Sequence, residues 1–194
     1  MADALTPKRV AESQVTLIQL MEITDANIAG IVHGGVVMKL VDTAAGLAAI
    51  KHCGGLAVTV AMDEMSFLVP VHVGDTVTVK ASVNDAYTTS LEVGVRVESE
   101  SIGTGERRHT SSAYLVFVAL DAEGKPRPVP PLVAETPAER RRQHEAQIRR
   151  ATRLEHRRAI LEHRREVARA EGAEGSSTSG AAPDEDQAPP HLRI

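Results

Sequence analysis

Residues 25–46, which read DANIAGIVHGGVVMKLVDTAAG, decide the fold of this chain. Turn-forming residues at 25–30 lead to a pair of glycines at 34–35, after which apolar residues recur every three or four positions up to residue 52. This spacing predicts a helix over residues 34–52, and the glycines that follow at 54–55 end it. Because the helix is apolar or small on nearly every side, we expect the rest of the chain to enclose it. Its clearly polar positions are Lys39, Asp42, Thr43 and Lys51.

Strand-like segments flank this helix on both sides. Residues 13–24 predict one strand before it, and four runs predict strands after it: 56–68, 75–87, 90–101 and 107–120. Short turns separate the later strands, so we expect them to form an antiparallel meander. The chain is therefore expected to be α+β, with a curved antiparallel sheet wrapped around one long central helix.

The chain divides into one domain and an appendage. A length of 194 residues suffices for one good core, which we place at residues 10–131. The segment KPRPVPP ends the sheet because proline cannot continue it. Residues 132–171 are rich in Arg and Glu and predict a charged helical extension, and residues 172–194 have the composition of a disordered tail.

Charge and composition exclude several functions. Residues 1–131 hold 10 Lys and Arg against 15 Asp and Glu, and aromatic residues make up 2% of the chain, so neither generic nucleic-acid binding nor base stacking is expected of this domain. In the extension, 7 acidic residues interleave with 11 arginines, which favours a solvated helix over an RNA-binding segment.

Cysteine content and hydropathy bear on the compartment. Cys53 is the single cysteine, which excludes an intrachain disulfide and a four-cysteine zinc site. No run approaches 18 consecutive apolar residues, and the N-terminus carries no apolar targeting segment. We therefore expect a cytoplasmic protein that neither binds nucleic acid nor enters a membrane.

The segment 25–46 also carries residues suited to carbonyl chemistry. A helix that begins near Gly34 offers unpaired backbone N–H groups, and glycines at 34 and 35 let a ligand approach them closely. Such N–H groups can polarise a thioester carbonyl, which then needs a water molecule and a base. Asp42 lies eight residues further on, about two helical turns, among small side chains that leave room for a substrate.

Each of these residues also has a plain structural interpretation. Asp42 can pair with Lys39 on a solvated face, and Asn27 can serve as a turn residue. His33 can be a structural loop histidine, and the two glycines can be a flexible entry to the helix. Spacing alone leaves these alternatives open.

The combined motif resembles a known family. Asp25-Ala26-Asn27, Gly30, His33-Gly34-Gly35, Met38-Lys39-Leu40 and Asp42 together resemble the hotdog-fold acyl-CoA thioesterases of the brain-type cytosolic and YciA-like kind. The likeness covers about residues 10–145. It implies a single hotdog domain that hydrolyses acyl-CoA to a fatty acid and coenzyme A without metal or cofactor.

The resemblance also implies roles for individual residues. Asp42 would be the general base or nucleophile, Asn27 would orient the water or the carbonyl, and the N–H groups of Gly34 and Gly35 would form the oxyanion hole. In this family the Asn and the Asp come from different hotdogs. We therefore expect at least a homodimer, and a hexamer built as a trimer of dimers.

Four residues are candidates for contact with the substrate: His33, Ser66, Arg107 and Arg108. The two arginines are proposed because coenzyme A phosphates need cations, and Arg127 is a weaker candidate. Two positions depart from the family pattern, since Val69 stands where relatives often have Lys and Thr43 where Glu is frequent. The alternatives are a hotdog that binds acyl-CoA without hydrolysing it and, with less support, a hotdog hydratase.

Overall fold

The central helix lies against one face of a five-stranded antiparallel sheet. The structure is a computed structural model, and it describes residues 5–174. Helix α1 spans Gly34–Cys53. The sheet strands are β2 (Val15–Leu20), β3 (Ala57–Phe67), β4 (Asp75–Ala86), β5 (Ser90–Ser101) and β6 (Arg107–Ala119). A short parallel pair, β1 (Lys8–Arg9) and β7 (Leu132–Val133), and a long helix α2 (Pro137–Glu174) complete the described chain. The α+β class and the sheet-on-helix architecture are confirmed.

The strand order corrects one expectation. Along the sheet the order is β2-β4-β5-β6-β3, so β3 pairs with β6 and the predicted four-strand meander is wrong at its first connection. The segment between β3 and β4 does not turn back on itself. Instead it passes the start of α1, where Val32 donates to the carbonyl of Val71. This crossing delivers β4 to the side of β2 and leaves β3 as an edge strand.

Small side chains on α1 form the contact with the sheet. Ala44, Ala45, Ala48 and Ala49 are fully buried against the inner face, which is lined mainly by valines of β4 and β5. Alanine lets the helix backbone approach the sheet closely, and the β-branched valines fill the pleated surface opposite. The core therefore needs few aromatic residues, and Phe117 is the one at its centre.

The opposite face of α1 is not enclosed, contrary to expectation. Met38, Leu47 and Ile50 are 42%, 41% and 39% exposed, and Asp42 is exposed on the same side. The sheet of a single chain covers one side of a helix and cannot reach the other. An apolar face of this kind needs a covering partner.

Helix α2 packs on the outer face of the sheet, the face turned away from α1. Glu92 of β5 is fully buried and pairs with Arg149 at 2.6 Å, while Arg153 pairs with Asp63 of β3. The guanidinium of Arg149 also lies 3.6 Å from the ring centroid of Tyr114. The extension is thus docked through its first half and is not merely a solvated helix. From residue 158 to residue 169 every residue is exposed.

The end of the chain is described in part. Helix α2 continues to Glu174, three residues past the predicted end of the helical extension. The disorder predicted for the remaining tail lies outside the described residues. Among the helices of the described part, none is long and apolar enough to cross a membrane.

The buried ion pair gives a stability prediction. Arg149→Ala leaves the carboxylate of Glu92 buried without its cation, so we expect the free energy of unfolding to fall by about 3 kcal/mol or more. Urea denaturation at a fixed protein concentration measures this change, and faster hydrogen exchange over residues 137–157 should accompany it.

Arg141→Ala is the matched control for this experiment. Arg141 and Glu145 form an exposed pair, with side chains 70% and 43% accessible, so its loss should cost less than about 1 kcal/mol. Equal losses in the two variants would contradict the assignment of Arg149 as the residue that anchors α2.

Candidate active site

Asn27 shapes the loop that precedes α1. Its side-chain oxygen accepts hydrogen bonds from the backbone N–H groups of Ala29, at 2.8 Å, and Ile31, at 3.4 Å. These two donors fix which end of the amide is the oxygen. The Nδ2 group has no hydrogen-bond partner among the described residues and remains free to donate. The turn interpretation of Asn27 is correct, and it leaves a donor available to a ligand.

A cleft of about 330 Å³ lies beside this amide. Its walls are mostly apolar, and Asn27 contributes the one polar side chain among the residues around it. The residues around it are Asn27, Ile31, Val32, Gly34, Val37, Phe67, Leu68, Val69, Pro70 and Val71. Apolar walls with a few polar groups are typical of small-molecule sites. Val69, one of the departures from the family pattern, therefore contributes an apolar wall where a lysine would bring a charge.

The start of α1 corrects the expected oxyanion hole. His33 is the N-cap, and its Nδ1 accepts the Gly35 N–H at 2.9 Å, so that N–H is not available to a substrate. The Gly34 N–H has no protein acceptor among the described residues. Gly34 also borders the cleft, while Gly35 does not. Of the two N–H groups expected to form the oxyanion hole, that of Gly34 alone is free to bind a carbonyl oxygen. His33 acts as the cap of the helix.

Asp42 lies two turns further along α1, on its exposed face. Thr59 of β3 donates its hydroxyl hydrogen to Asp42 Oδ1 at 2.7 Å. The ion pairs of the described chain do not include Asp42 with Lys39, so the expected alternative pairing is absent from residues 5–174. The hydroxyl of Thr43 donates to the carbonyl of Lys39 at 2.8 Å and leaves Asp42 unobstructed.

Sequence reasoning missed Thr59. The pairing of β3 with β6 shifts register between Thr59 and Ala61 and again between Met62 and Glu64. Both shifts come after Thr59, which shares the inward face of β3 with Ala57 and pairs with the buried Phe117. Its neighbours Val58 and Val60 are more apolar, so the sequence pattern alone favours the opposite face for Thr59.

Asn27 and Asp42 do not form one site within a single chain. Asp42 is not among the residues around the cleft, and eight residues of helix separate it from Gly34, a rise of about 12 Å. Each chain thus presents two separate groups of residues. The first is the Asn27 amide with the Gly34 N–H, and the second is Asp42 with Thr59.

The substrate-contact candidates fall on different faces of the sheet. Ser66 pairs with Ser112 in the register of β3 with β6, one position away from the inward pair of Met65 and Ala113, so it faces outward and away from the cleft. Arg107 pairs with Glu100 at 2.6 Å and also lies away from the cleft. Neither residue meets the expectation within one chain.

Arg108 is the better placed arginine. It stands opposite the buried Ser99, and its Nη2 lies 3.9 Å from Asp75 Oδ2. Asp75 in turn accepts from the N–H of His72, next to the loop that holds Asn27. Arg108 Nε is buried and has no hydrogen-bond partner, although Glu106 Oε1 lies 4.0 Å from it. Arg127, the weaker candidate for coenzyme A binding, donates to the carbonyls of Leu120 and Cys53 and so links the end of α1 to the segment after β6.

Comparison with known proteins supports one family. Residues 29–106 match the model described as thioesterase superfamily. The chain is 37% identical over 145 residues to the cytosolic acyl coenzyme A thioester hydrolase of Mus musculus, covering 74% of this chain and 38% of that protein. It thus spans 38% of the length of that relative. The uncharacterized acyl-CoA thioester hydrolase YkhA of Bacillus subtilis is 39% identical over 128 residues, which cover 66% of this chain and 74% of YkhA.

Solved structures agree with this result. The acyl-CoA hydrolase of Staphylococcus aureus, solved with butyryl coenzyme A and coenzyme A, has 31% identity and a TM-score of 0.75 over 83% of this chain and 98% of that one. A hexameric acyl-CoA thioesterase has 34% identity and a TM-score of 0.76, with 78% of this chain and 97% of that one covered.

Three further structures of the Staphylococcus aureus hydrolase carry single alanine replacements. The replaced residues are an Asn, an Asp and a Thr, separated by 15 and 17 positions. Asn27, Asp42 and Thr59 have the same two separations in this chain, 15 and 17 positions.

The cap at His33 gives a testable prediction. His33→Ala removes the acceptor of the Gly35 N–H, and we expect the free energy of unfolding to fall by about 1 kcal/mol. His33→Asn keeps a side-chain acceptor at the cap and should retain most of the stability. Thermal denaturation of the two variants at equal concentration tests this, and an Asn variant as unstable as the Ala variant would contradict the capping role.

Proposed function

The chain belongs to the thioesterase superfamily, and from that premise we propose that it hydrolyses acyl-CoA thioesters to a free fatty acid and coenzyme A. The observation that carries the proposal is the trio of Asn27, Asp42 and Thr59. Its residue types and separations equal those replaced in the Staphylococcus aureus hydrolase, and Thr59 contacts Asp42 directly.

Asp42 acts in this proposal as the general base. Its Oδ1 accepts from Thr59, which holds the carboxylate in one orientation and leaves Oδ2 to take a proton from water. The resulting hydroxide attacks the thioester carbonyl carbon. When the carbon–sulfur bond breaks, the proton held by Asp42 passes to the departing coenzyme A thiolate. Water is thus added across the bond, and no metal or cofactor is required.

Asn27 and Gly34 act on the carbonyl side of the reaction. Asn27 and Gly34 both line the apolar cleft, and in this proposal the free Nδ2 of the one and the free N–H of the other donate to the carbonyl oxygen as negative charge develops on it. The N-terminal end of α1 adds a positive dipole at the same place. The cleft would receive the apolar part of the substrate next to the thioester.

A complete site in this proposal combines two copies of the chain. One copy supplies Asn27 and Gly34, and the other supplies Asp42 and Thr59. Two features support a second copy over α1: the exposed apolar residues of this helix and the free edge of β3 beside them. A homodimer would cover both and bury Asp42. A hexamer assembled from three dimers is the larger assembly we propose, as in the hexameric relative.

The phosphates of coenzyme A need a cation, and Arg108 is the candidate that the geometry favours. It lies on the helix side of the sheet at the end where the Asn27 loop lies, and its buried Nε lacks a hydrogen-bond acceptor. A phosphate would provide one. We place the reaction in the cytoplasm, following the name of the mouse relative.

Thiol release from a panel of acyl-CoAs of increasing chain length tests the activity. We expect Asp42→Ala to lower kcat by about 100-fold or more, because general-base catalysis contributes at least that much. Asn27→Ala should lose about as much, because it removes a donor to the developing oxyanion. Thr59→Val should lose less, about tenfold, and Thr59→Ser should restore turnover because it keeps the hydroxyl.

Glu123→Ala is the control for loss of a carboxylate, since Glu123 lies exposed in a turn after β6. It should remain within about twofold of the wild type. Wild-type protein that binds acyl-CoA without releasing thiol at any chain length would refute the hydrolase and support a binding protein. Full turnover by Asp42→Ala would refute the assigned base.

The dimer can be tested separately from catalysis. Leu47→Arg places a charge in the exposed apolar face of α1, so we expect a monomer by light scattering, a retained circular dichroism spectrum and loss of thiol release. Ile102→Arg is the matched control, because Ile102 is an exposed apolar residue in the turn after β5. If Leu47→Arg retains both its mass and its activity, the proposed contact is wrong.

A further inference from the structure

The outer face of the sheet holds a second cavity, of about 480 Å³. It opens where the first turns of α2 leave the strands uncovered, and residues 141, 142 and 145 of that helix form one wall. Helix α1 and Asp42 lie on the other side of the sheet. No step of the proposed hydrolysis uses this cavity.

The floor of the cavity is built by the strand register. Lys80 of β4 pairs with Arg96 of β5, and in the adjacent row Ser82 pairs with Gly94. Because Gly94 has no side chain, the amide of Asn84 can lie directly over it. A Cβ at that position would lie 2.5 Å from Asn84 Nδ2, so no other residue fits without displacing Asn84.

Two buried polar atoms in this floor have no partner. They are Ser82 Oγ and Asn84 Oδ1, and Asn84 is 2% exposed. Asn84 Nδ2 donates to Glu92 at 3.1 Å, which fixes the orientation of the amide and leaves its oxygen without a donor. A buried polar atom without a partner is costly, and a ligand with an N–H or O–H group would remove that cost.

The rim of the cavity is cationic. Lys80 and Arg96 both donate to Glu98, at 2.7 and 2.9 Å, and these hydrogen bonds hold the pKa of Glu98 at about 2. Arg141 lies 3.5 Å from Glu145, and Arg142 has no ion pair among the described residues. Glu139 is a further acidic residue near Arg142, so four cations stand near three carboxylates, and the charge of Glu92 beneath them is balanced by Arg149. The side chains of Lys80 and Arg96 are 48% and 52% accessible, so a phosphate can contact their exposed N–H groups while both keep their hydrogen bonds to Glu98.

We propose that this outer-face cavity binds a phosphate ester of nucleotide size. The phosphates would contact Arg142, Arg96 and Lys80 at the rim, and a hydrogen-bond donor of the organic part would reach Asn84 Oδ1 in the floor. A volume of about 480 Å³ is suited to such a molecule. This inference does not rest on the proposed hydrolysis, because the two sites lie on opposite faces of the sheet.

Uridine diphosphate is a suitable probe, since its uracil carries an N–H donor and its diphosphate carries the charge. Calorimetric titration of the full chain in saturating coenzyme A keeps the proposed active site filled. We expect binding that weakens by about tenfold or more in Arg142→Glu, and less than about twofold in Arg158→Glu, a charge-matched change farther along the same helix. Uridine and inorganic pyrophosphate should each bind at least about tenfold more weakly than the diphosphate, because each lacks half of the contacts.

Several results would overturn the proposal. These are the absence of uridine diphosphate binding to the wild type, equal binding by the two arginine variants, and pyrophosphate binding as tight as that of the nucleotide. Light scattering tests whether the cavity is instead a contact between copies of the chain. If Arg142→Glu changes the mass of the assembly and the wild type binds no nucleotide, the cavity is a contact between copies of the chain and not a ligand site.

Discussion

The contact between the alanine face of α1 and the inner face of the sheet is the interaction on which the rest of the structure depends. Four fully buried alanines set both the distance and the rotation of the helix. With that face committed to the sheet, Asp42 must point away from the core, toward the edge where β3 runs. The same rotation brings the first turn of the helix beside the Asn27 loop. The positions of all the proposed catalytic groups follow from this one packing arrangement.

The same packing leaves several groups of α1 and of the Asn27 loop without a partner in a single chain. The outer side of α1 exposes large apolar residues, Asp42 lies exposed among them, and the amide of Asn27 keeps an unused donor in an apolar cleft. In a single chain the exposed apolar residues are unfavourable, and the two polar groups contact no substrate. A second copy of the chain placed over α1 accounts for all of them, because it would bury the apolar face and bring the two groups of residues together.

Local patterns in the sequence predict much of this fold, and the failures have a common physical origin. Helix α1 and the two hairpins joining β4, β5 and β6 follow from periodicity and turn residues, which act over a few positions. The pairing of β3 with β6 depends on the path of the chain past the start of α1, which no local pattern contains. The apolar neighbours of Thr59 on β3 favoured the wrong face for it, and the acidic partners of Arg149 and Arg153 lie 57 and 90 positions away in the sequence.

Mixing two inactive variants tests the shared site most directly. Asn27→Ala and Asp42→Ala should each be nearly inactive alone, but a mixed dimer retains one intact site built from Asp42 of one copy and Asn27 of the other. After unfolding and refolding together in equal amounts, half of the dimers are mixed, and thiol release should recover to about a quarter of the wild-type rate. Mixtures that stay as inactive as the separate variants, although subunit exchange is demonstrated, would contradict a site shared between two chains.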